Sequence, residues 1–123
     1  KYIILLQPSS PLGSLAQVLR AIKKIKFNKK ISSIVSISEP VEEPKDLIKK
    51  RKNNFFSRLI KNKKNNRFYT INGNFYIFRS ELILKNKKIF DFTNKTFFFE
   101  IDKEYSLDIN DLFDMKICEV LTK

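Results

Sequence analysis

Three short polar segments carry the side chains that could do chemistry in this sequence: residues 7–12, 72–73 and 108–111. The chain contains no histidine, which excludes histidine triads and histidine general bases. Any chemistry must therefore rest on carboxylates, lysines, arginines, hydroxyls or a hard metal ion held by oxygen atoms. No glycine-rich phosphate loop is present in the sequence.

Residues 7–12 directly follow an apolar run and precede a helical pattern. Open α/β sheets bind ligands at this position, beyond the carboxyl end of a strand. The N–H groups at the start of the following helix are also suited to an anion. The alternative is a Ser-Pro turn that merely links the strand to the helix.

The other two segments each have a structural alternative to a functional role. Asn72 and Gly73 predict a sharp backbone feature with positive φ, although a simple hairpin turn has the same sequence pattern. Alternate residues of an extended segment point the same way, so Asp108 and Asn110 could jointly face Mg²⁺. The alternative is that Asn110 and Asp111 cap the helix that follows.

A strand and a helix are predicted around the first segment. Residues 2–6 form a continuous apolar run, typical of a strand buried on both faces in a parallel sheet. Ser14 is a suitable N-cap for the helix that follows. The apolar positions of that helix are Leu15, Val18, Leu19, Ile22 and Ile25. Residues 31–38 predict a second strand, which completes a βαβ unit.

The remaining elements follow from similar patterns. Residues 46–66 are basic but too apolar for a linker, so we expect a protruding, partly helical segment. Residues 67–79 predict a strand-turn-strand or a bulged strand, and residues 80–84 a short helix capped by Ser80. Residues 96–101 predict a strand and residues 111–121 a last helix. That helix places Leu112, Met115, Cys118 and Leu121 along one stripe.

Composition limits the function further. The 123 residues carry a formal charge of +12 and are 42% hydrophobic, which predicts one folded domain or a piece of one. The single cysteine excludes an intrachain disulfide, and no run reaches the roughly 18 apolar residues of a membrane span. Basic and aromatic residues also suit nucleic acid, but the aromatic residues lie in strand-like runs that favour burial. We therefore expect a cytoplasmic protein with no membrane or nucleic-acid partner.

Four segments, in order, resemble the motifs of one family. Residues 5–12 are similar to Leu-Leu-Gln-Pro-Thr-Ser-Pro-Leu-Arg, and residues 34–37 to a Val-Val-Ser-Val strand. Residues 69–77 resemble Tyr-x-x-Asn-Gly-x-x-Tyr-Ile, and residues 106–110 resemble Ser-x-Asp-Ile-Asp. These are motifs of the cytidylyltransferases that activate sialic acid and related nonulosonic acids, the CMP-acylneuraminate synthetases. The ordered combination is much more specific than any one segment.

The resemblance implies a Rossmann-like α/β sandwich of the nucleotide-diphospho-sugar transferase type, with a mixed sheet. Residues 1–123 would be a single partial domain whose N-terminal nucleotide-binding part is missing, and residues 46–66 would form a protruding dimerisation segment. The implied reaction is attack of the anomeric hydroxyl of a nonulosonic acid on the α-phosphate of CTP. It yields the CMP-sugar and pyrophosphate and uses Mg²⁺.

The resemblance also implies the site residues. Asp108 would be the catalytic residue and would bind Mg²⁺, with Asn110 at the family's second metal position. The substrate-binding residues would be Gln7, Ser9, Ser10, Asn72, Gly73 and Lys45, the last lent to the neighbouring subunit's site. The sequence departs from the family at Gly13, where an arginine is usual, and at Asn110, where an aspartate is usual. These departures leave open an inactive binding or interaction module of the same fold.

Overall fold

The computed structural model describes residues 1–41, 48–50, 56–58, 67–86 and 95–122. The strands are β1 (Tyr2–Leu6), β2 (Ser33–Ser38), β3 (Ile48–Lys50), β4 (Phe56–Arg58), β5 (Thr70–Arg79) and β6 (Thr96–Glu100). The helices are α1 (Leu15–Phe27), α2 (Ser80–Asn86) and α3 (Leu112–Leu121), with a 3₁₀ turn at Lys103–Tyr105. The chain divides into two compact units, residues 1–38 with 71–123, and residues 39–70.

The larger unit contains a four-stranded mixed sheet in the order β1-β5-β2-β6. β1 pairs antiparallel with β5, and β2 pairs parallel with β6. Arg79 N–H bonds to the Ser32 carbonyl and Phe75 N–H to Ser36 Oγ, so β5 also runs opposite to β2. The carboxyl ends of β1, β2 and β6 therefore share one edge of the sheet with the start of β5. The expected α/β class with a mixed sheet is confirmed.

Apolar side chains cover both faces of the central strands. On one face α1 packs against β2 and β5, and the buried residues there include Val18, Ala21, Ile25, Ile34, Phe75 and Ile77. On the other face Val35, Tyr76 and Phe78 pack with Leu82 and Ile83 of α2. The alternation of side chains along β5 supplies both clusters, because successive residues of a strand point to opposite faces. β5 therefore contributes side chains to both apolar clusters of the core.

The expectation that residues 2–6 are buried on both faces is wrong. Ile4 is 42% exposed and Leu6 is 55% exposed. Among the described residues, β1 is the outer strand of the sheet and pairs with β5 alone. Sequence patterns report that a strand is apolar, but they do not report whether another element covers it.

The first helix is confirmed, but its buried face is not the predicted stripe. Val18 and Ile25 are buried as expected, whereas Leu15 and Leu19 are exposed. Ala21 and Gln17 are buried in their place, so the buried face is rotated about the helix axis relative to the predicted stripe. Ser14 is the N-cap residue, yet its side chain makes no capping hydrogen bond.

The second strand and the sixth are confirmed, and residues 70–79 form one continuous strand, so the bulged-strand alternative is favoured over the hairpin. α2 begins at Ser80. Within α3 only Cys118 of the predicted stripe is buried, while Leu112 and Met115 are exposed. None of the described helices is long and apolar enough to cross a membrane.

The smaller unit contains an antiparallel pair, β3 with β4, in which Ile48 lies opposite Arg58. Residues 48–50 and 56–58 are therefore strands, where a partly helical segment was expected. The strand pair follows from local register, since residues brought together by a short connection pair most readily as an antiparallel ladder. The rest of the predicted protruding segment, 46–66, lies outside the described residues.

Candidate functional site

The three polar segments of the sequence meet at the end of the four-stranded sheet where β1, β2 and β6 end and β5 begins. The loop at residues 7–10 leaves the end of β1, Asn72 and Gly73 lie near the start of β5, and Asp108 follows β6. Ile109 N–H donates to the Ser9 carbonyl at 2.7 Å, which ties the third segment to the first. Residues separated by about a hundred positions in the sequence are therefore neighbours, as the βαβ arrangement at this edge requires.

Ser10 lies at the centre of the cluster. Its Oγ is 3.4 Å from the Asn72 carbonyl and 3.4 Å from Asp108 Oδ1, and its side chain is buried. A hydroxyl has one proton and donates to one acceptor at a time. Both bonds are long for O–H···O geometry, so Ser10 is held between two acceptors and commits firmly to neither.

The Asn72 side chain is buried and only half satisfied. Its Oδ1 accepts from Ser36 Oγ at 2.7 Å and from Asn74 N–H at 3.2 Å. A backbone N–H can only donate, so this contact fixes which end of the amide is oxygen. Nδ2 is buried and finds no hydrogen-bond partner among the described residues; the Gln17 Oε1 atom on α1 is the other such side-chain atom.

An unsatisfied buried donor destabilises a fold by about 1–3 kcal/mol. Native proteins leave few such groups, and each one calls for a physical explanation. At Asn72 the unpaired Nδ2 belongs to the same side chain that organises Ser36 and the backbone of Asn74. The Asn72 amide is thus held in place while one donor stays free for an acceptor that the described residues do not supply.

Two glycines allow close packing between the first segment and β5. Gly73 has φ of 74°, and a Cβ there would overlap Gln7 Oε1, so the Gln7 side chain lies against the glycine backbone. A Cβ at Gly13 would overlap Asn74 Oδ1. The Asn74 amide also donates to the Tyr105 carbonyl. The side chain of Asn74 therefore occupies space that any larger residue at position 13 would need.

Tyr76 is affected electrostatically by Asp108. Burial raises the pKa of the Tyr76 phenol above its usual 10.0, and the negative charge of Asp108 raises it further. Both causes disfavour the phenolate. Near neutral pH Tyr76 is therefore a neutral phenol that presents an O–H group in the field of the Asp108 carboxylate.

Asp108 and Asn110 do not form a paired cation site in the described structure. Asn110 is exposed, its Nδ2 donates to the Asp108 backbone carbonyl at 3.2 Å, and its N–H donates to Asp114 Oδ2 at 2.9 Å. The Asp111 carboxylate accepts from Phe113 N–H at 2.8 Å and from Asp114 N–H, which caps α3. The capping alternative is thus confirmed for Asp111.

The described residues include no group of three His, Cys, Asp or Glu side chains that could hold a metal ion. Mg²⁺ is often bound through one or two carboxylates, with waters and substrate phosphates as its other ligands. Asp108, half-buried beside Ser10, fits that minimal arrangement, whereas a site built from protein ligands alone does not fit.

A small open cleft of about 140 Å³ adjoins the cluster, between the end of β1 and the start of α1. Leu6 and Leu15 give it apolar walls, and Gln7, Ser10 and Asn74 supply polar atoms. Complete small-molecule sites usually have about 300–1,000 Å³. The cleft therefore accommodates part of a sugar-sized ligand and leaves the rest of that ligand outside it.

The structure brings together Gln7, Ser9, Ser10, Asn72, Gly73 and Asp108 of the predicted site residues. Lys45 lies outside the described residues. Sequence reasoning missed Ser36 and Asn74 as partners of Asn72, and it did not assign Tyr76 to the site. Ser36 lies within the strand predicted over residues 31–38, and the sequence carries no signal that this serine is buried beside Asn72.

Comparison with known protein families and with curated proteins finds no family model and no curated protein that matches this chain.

Proposed function

We propose that this chain is the sugar-binding and dimerising part of a cytidylyltransferase that transfers CMP from CTP to the anomeric hydroxyl of a nonulosonic, sialic-type acid. The proposal rests on the ordered motifs of the sequence. It is supported by their convergence on one sheet edge, at which Ser10 joins Asn72 to Asp108. The proposed fold is correspondingly Rossmann-like and the proposed location cytoplasmic.

The free donor of Asn72 is the observation that carries the proposal. A sugar acid offers hydroxyl and carboxylate oxygens, which are the acceptors that the buried Nδ2 lacks. Gln7 lies beside it over Gly73, and Ser9 and Ser10 border the same cluster. We assign these residues to the sugar acid, and Lys45 to a neighbouring subunit's site in a homodimer formed through residues 46–66.

We assign Asp108 to Mg²⁺ and to the reacting groups. Bound Mg²⁺ would supply charge neutralisation on the triphosphate and would lower the pKa of a coordinated hydroxyl. Asp108 would hold its carboxylate at the anomeric oxygen, with Ser10 Oγ 3.4 Å away and with the neutral Tyr76 phenol in the field of that carboxylate. The anomeric oxygen would form a bond to the α-phosphorus as the bond to pyrophosphate breaks, and the proton of the anomeric hydroxyl would pass to water. Asn110 is a weak candidate for the second metal position.

The test is a calorimetric titration of the 123-residue chain with N-acetylneuraminate. Asn72→Asp keeps an oxygen for Ser36 and Asn74 but replaces the free donor with a second acceptor. We expect this variant to lose at least tenfold in affinity, about 1.4 kcal/mol. The matched control is Asn28→Asp at the far edge of the sheet, which should bind like the unmodified chain. Equal affinity in all three proteins would refute the assignment of Asn72.

A second candidate is an inactive binding module of the same fold. It is favoured because Asp108 supplies the one carboxylate that the described residues place at the cluster. Asn110, at the second metal position, bonds instead to the Asp108 carbonyl and to the Asp114 carboxylate. Incubation with CTP, Mg²⁺ and the sugar acid distinguishes the two candidates. CMP-sugar formation that Asp108→Asn abolishes supports the transferase, whereas sugar binding without any turnover supports the module.

A further inference from the structure

The segment that carries Asp108 is bonded to the rest of the domain on both sides of that residue. Ahead of it, the Tyr105 carbonyl at the end of the 3₁₀ turn accepts a hydrogen bond from Asn74 Nδ2. Directly after it, the Ile109 N–H donates to the Ser9 carbonyl at 2.7 Å. A short segment that is bonded at both ends has little conformational freedom, so these two hydrogen bonds limit where the carboxylate can lie.

Only the first of these two hydrogen bonds depends on a side chain. The bond between Ile109 and Ser9 joins two backbone groups, which every residue except proline supplies. The other bond needs the amide of Asn74, which is 4% exposed. Because the Tyr105 carbonyl can only accept, the contact fixes Nδ2 as the end of the amide that faces it. Asn74 is therefore the side chain through which the sequence controls this segment.

Asn74 is also bonded to the other half of the cluster. Its backbone N–H donates to Asn72 Oδ1 at 3.2 Å, and the Nδ2 of the same Asn72 amide finds no partner in the described part of the chain. Asn74 thus contacts the amide with the free donor through its backbone and the segment of Asp108 through its side chain. The spacing between that donor and the Asp108 carboxylate depends on the conformation of this one residue.

The backbone at Gly13 restricts the side chain of Asn74 from the opposite side. A Cβ at position 13 would overlap Asn74 Oδ1, so the amide oxygen lies directly against the glycine. The Gly13 N–H donates in turn to the Ser10 carbonyl at 3.3 Å, which keeps this backbone in place. With Oδ1 against Gly13 and Nδ2 bonded to the Tyr105 carbonyl, the Asn74 amide is held in one orientation.

We propose that Asn74 is a positioning residue, which sets the place of the Asp108 carboxylate relative to the Asn72 amide. The consequence for the reaction rests on the proposed function: a sugar acid bound at Asn72 presents its anomeric oxygen to Asp108 only while this spacing is kept. Reacting groups that are displaced by about 1 Å can lose about a hundredfold in rate. Asn74 itself touches neither substrate nor metal in this role and acts through Asp108.

Titration of the Tyr76 phenol in the full 123-residue chain tests the proposal. Burial, and after it the negative charge of Asp108, raises the pKa of this phenol, so the pKa reports whether the carboxylate keeps its place. Asn74→Leu has nearly the shape of the native side chain but no donor. We expect it to lower the pKa of Tyr76 in the unmodified background and to leave it unchanged in an Asp108→Asn background, because Asn74 acts through the carboxylate.

A merely structural role of Asn74 would give a different pattern. Altered burial of Tyr76 would shift its pKa equally in both backgrounds, and that result, or no shift in either, would overturn the proposal. The matched control is Ser106→Ala, which removes an exposed hydrogen bond from Ser106 Oγ to the Lys103 carbonyl in the same turn. We expect the control to leave the pKa of Tyr76 unchanged, and an equal shift in the control would assign the effect to the turn and not to Asn74.

Amide hydrogen exchange at Ile109, followed by NMR, is a second measurement that does not depend on Tyr76. Asn74→Ser is measured beside Asn74→Leu, since its smaller side chain disturbs the packing less and its hydroxyl reaches less far than the amide. We expect the Ile109 N–H to exchange roughly threefold to tenfold faster in both variants, as after the loss of one hydrogen bond. Exchange as slow as in the unmodified chain would overturn the proposal.

Neither measurement needs a ligand, so the positioning role and the proposed function can fail separately. An unmodified chain that does not bind N-acetylneuraminate would refute the proposed function, while the titration and the exchange rates would still decide the role of Asn74. Binding by the unmodified chain together with an unchanged pKa and unchanged exchange in the Asn74 variants would refute the positioning role alone.

Discussion

The two ends of β5 each hold a polar cluster, and the clusters differ in how completely they are satisfied. At the end of the strand Arg79 donates to the Ile31 carbonyl at 2.8 Å and to the Ile25 carbonyl at 2.7 Å. It also reaches the Asn28 carbonyl and lies over the Tyr2 ring. At the start of the strand the Asn72 Oδ1 accepts two hydrogen bonds, whereas its Nδ2 finds no partner in the described part of the chain.

This difference separates a closed structural cluster from the cluster that we propose to be functional. Arg79 donates hydrogen bonds to carbonyl groups at and beyond the C-terminal end of α1, so it joins that helix to β5 and β1. Its positive charge also interacts favourably with the negative end of the helix dipole. A cluster that is closed in this way has nothing to offer a ligand. The cluster at Asn72 is also held by hydrogen bonds, but its Nδ2 finds no acceptor among the described residues, which is why we propose this cluster as the binding site.

Replacing Arg79 by Met should have the largest effect on stability. It keeps much of the aliphatic stem but removes the charged donor to the Ile25 and Ile31 carbonyls, and hydrogen bonds to charged groups are worth about 1.5–3 kcal/mol each. We expect urea unfolding to report a loss of about 2–4 kcal/mol, a large share of the stability of a small domain. Arg79→Lys should retain part of it.

Sugar-acid affinity of the folded Arg79→Met protein should be unchanged, because the residue lies at the far end of the strand from Asn72. A stable Arg79→Met protein, or one that stays folded and loses binding, would break the distinction between the two ends of β5.

Replacing Gly73 by Ala should have the next largest effect. The backbone there has φ of 74°, and the added Cβ would overlap Gln7 Oε1. We expect a loss of about 1–3 kcal/mol in the free energy of unfolding, as usual for a strained backbone position. Unlike Arg79→Met, the change should also weaken sugar-acid binding, because it displaces Gln7.

The comparison control is Gly13→Ala, which meets the Asn74 side chain but needs no positive φ. We expect Gly13→Ala to destabilise the fold less than Gly73→Ala in the same urea titration. The opposite order would show that close packing, and not the backbone angle, determines how much each substitution lowers the free energy of unfolding.

Much of this arrangement could be predicted from sequence, and the reasons for the failures are physical. The period of the apolar residues located β2, β6 and α1, because local patterning follows the geometry of the backbone. The positive φ at Gly73 followed from the Asn-Gly pair. Whether a strand is buried depends on the elements that pack against it, so the exposure of β1 could not be predicted from the residues of β1 alone.

The satisfied cluster at Arg79 was not predicted either. Its partners are carbonyl groups of residues 25–31, and a sequence does not display which carbonyls lack a donor. The role of Ser36 was not predicted for a similar reason. It depends on the pairing of β2 with β5, which places Ser36 beside Phe75 and Asn72.

Replacing Ser36 by Ala should have a moderate effect. Its Oγ accepts from Phe75 N–H at 3.0 Å and donates to Asn72 Oδ1, so the change leaves two buried groups with one bond fewer. We expect a loss of about 1–2 kcal/mol on urea unfolding, and weaker sugar-acid binding as Asn72 loses its orientation. Ser32→Ala, in which an exposed hydrogen bond is removed, is the matched control and should change neither. Unchanged binding in Ser36→Ala would remove the argument that the amide is held in place.

The smallest expected effect concerns the proton of Tyr76. Burial, followed by the charge of Asp108, raises the pKa of this phenol above 10.0, so the folded state favours the neutral form. The associated stability is present below pH 10.0, the usual pKa of the phenol, and is lost as the pH rises through the higher pKa of the folded protein. Asp108→Asn should lower the pKa of Tyr76 but leave it above 10.0, because burial is the larger cause.

Ultraviolet titration of tyrosinate in the folded protein measures this pKa, with Tyr76→Phe used to assign the signal. The matched control is Asp114→Asn, which removes a carboxylate from the same segment but one that bonds to Asn110 N–H. We expect no change in the pKa of Tyr76 in that control. If Asp108→Asn also left the pKa unchanged, the Asp108 carboxylate would not face Tyr76. The open cluster at Asn72 would then lack the negative charge that distinguishes it from the closed cluster at Arg79.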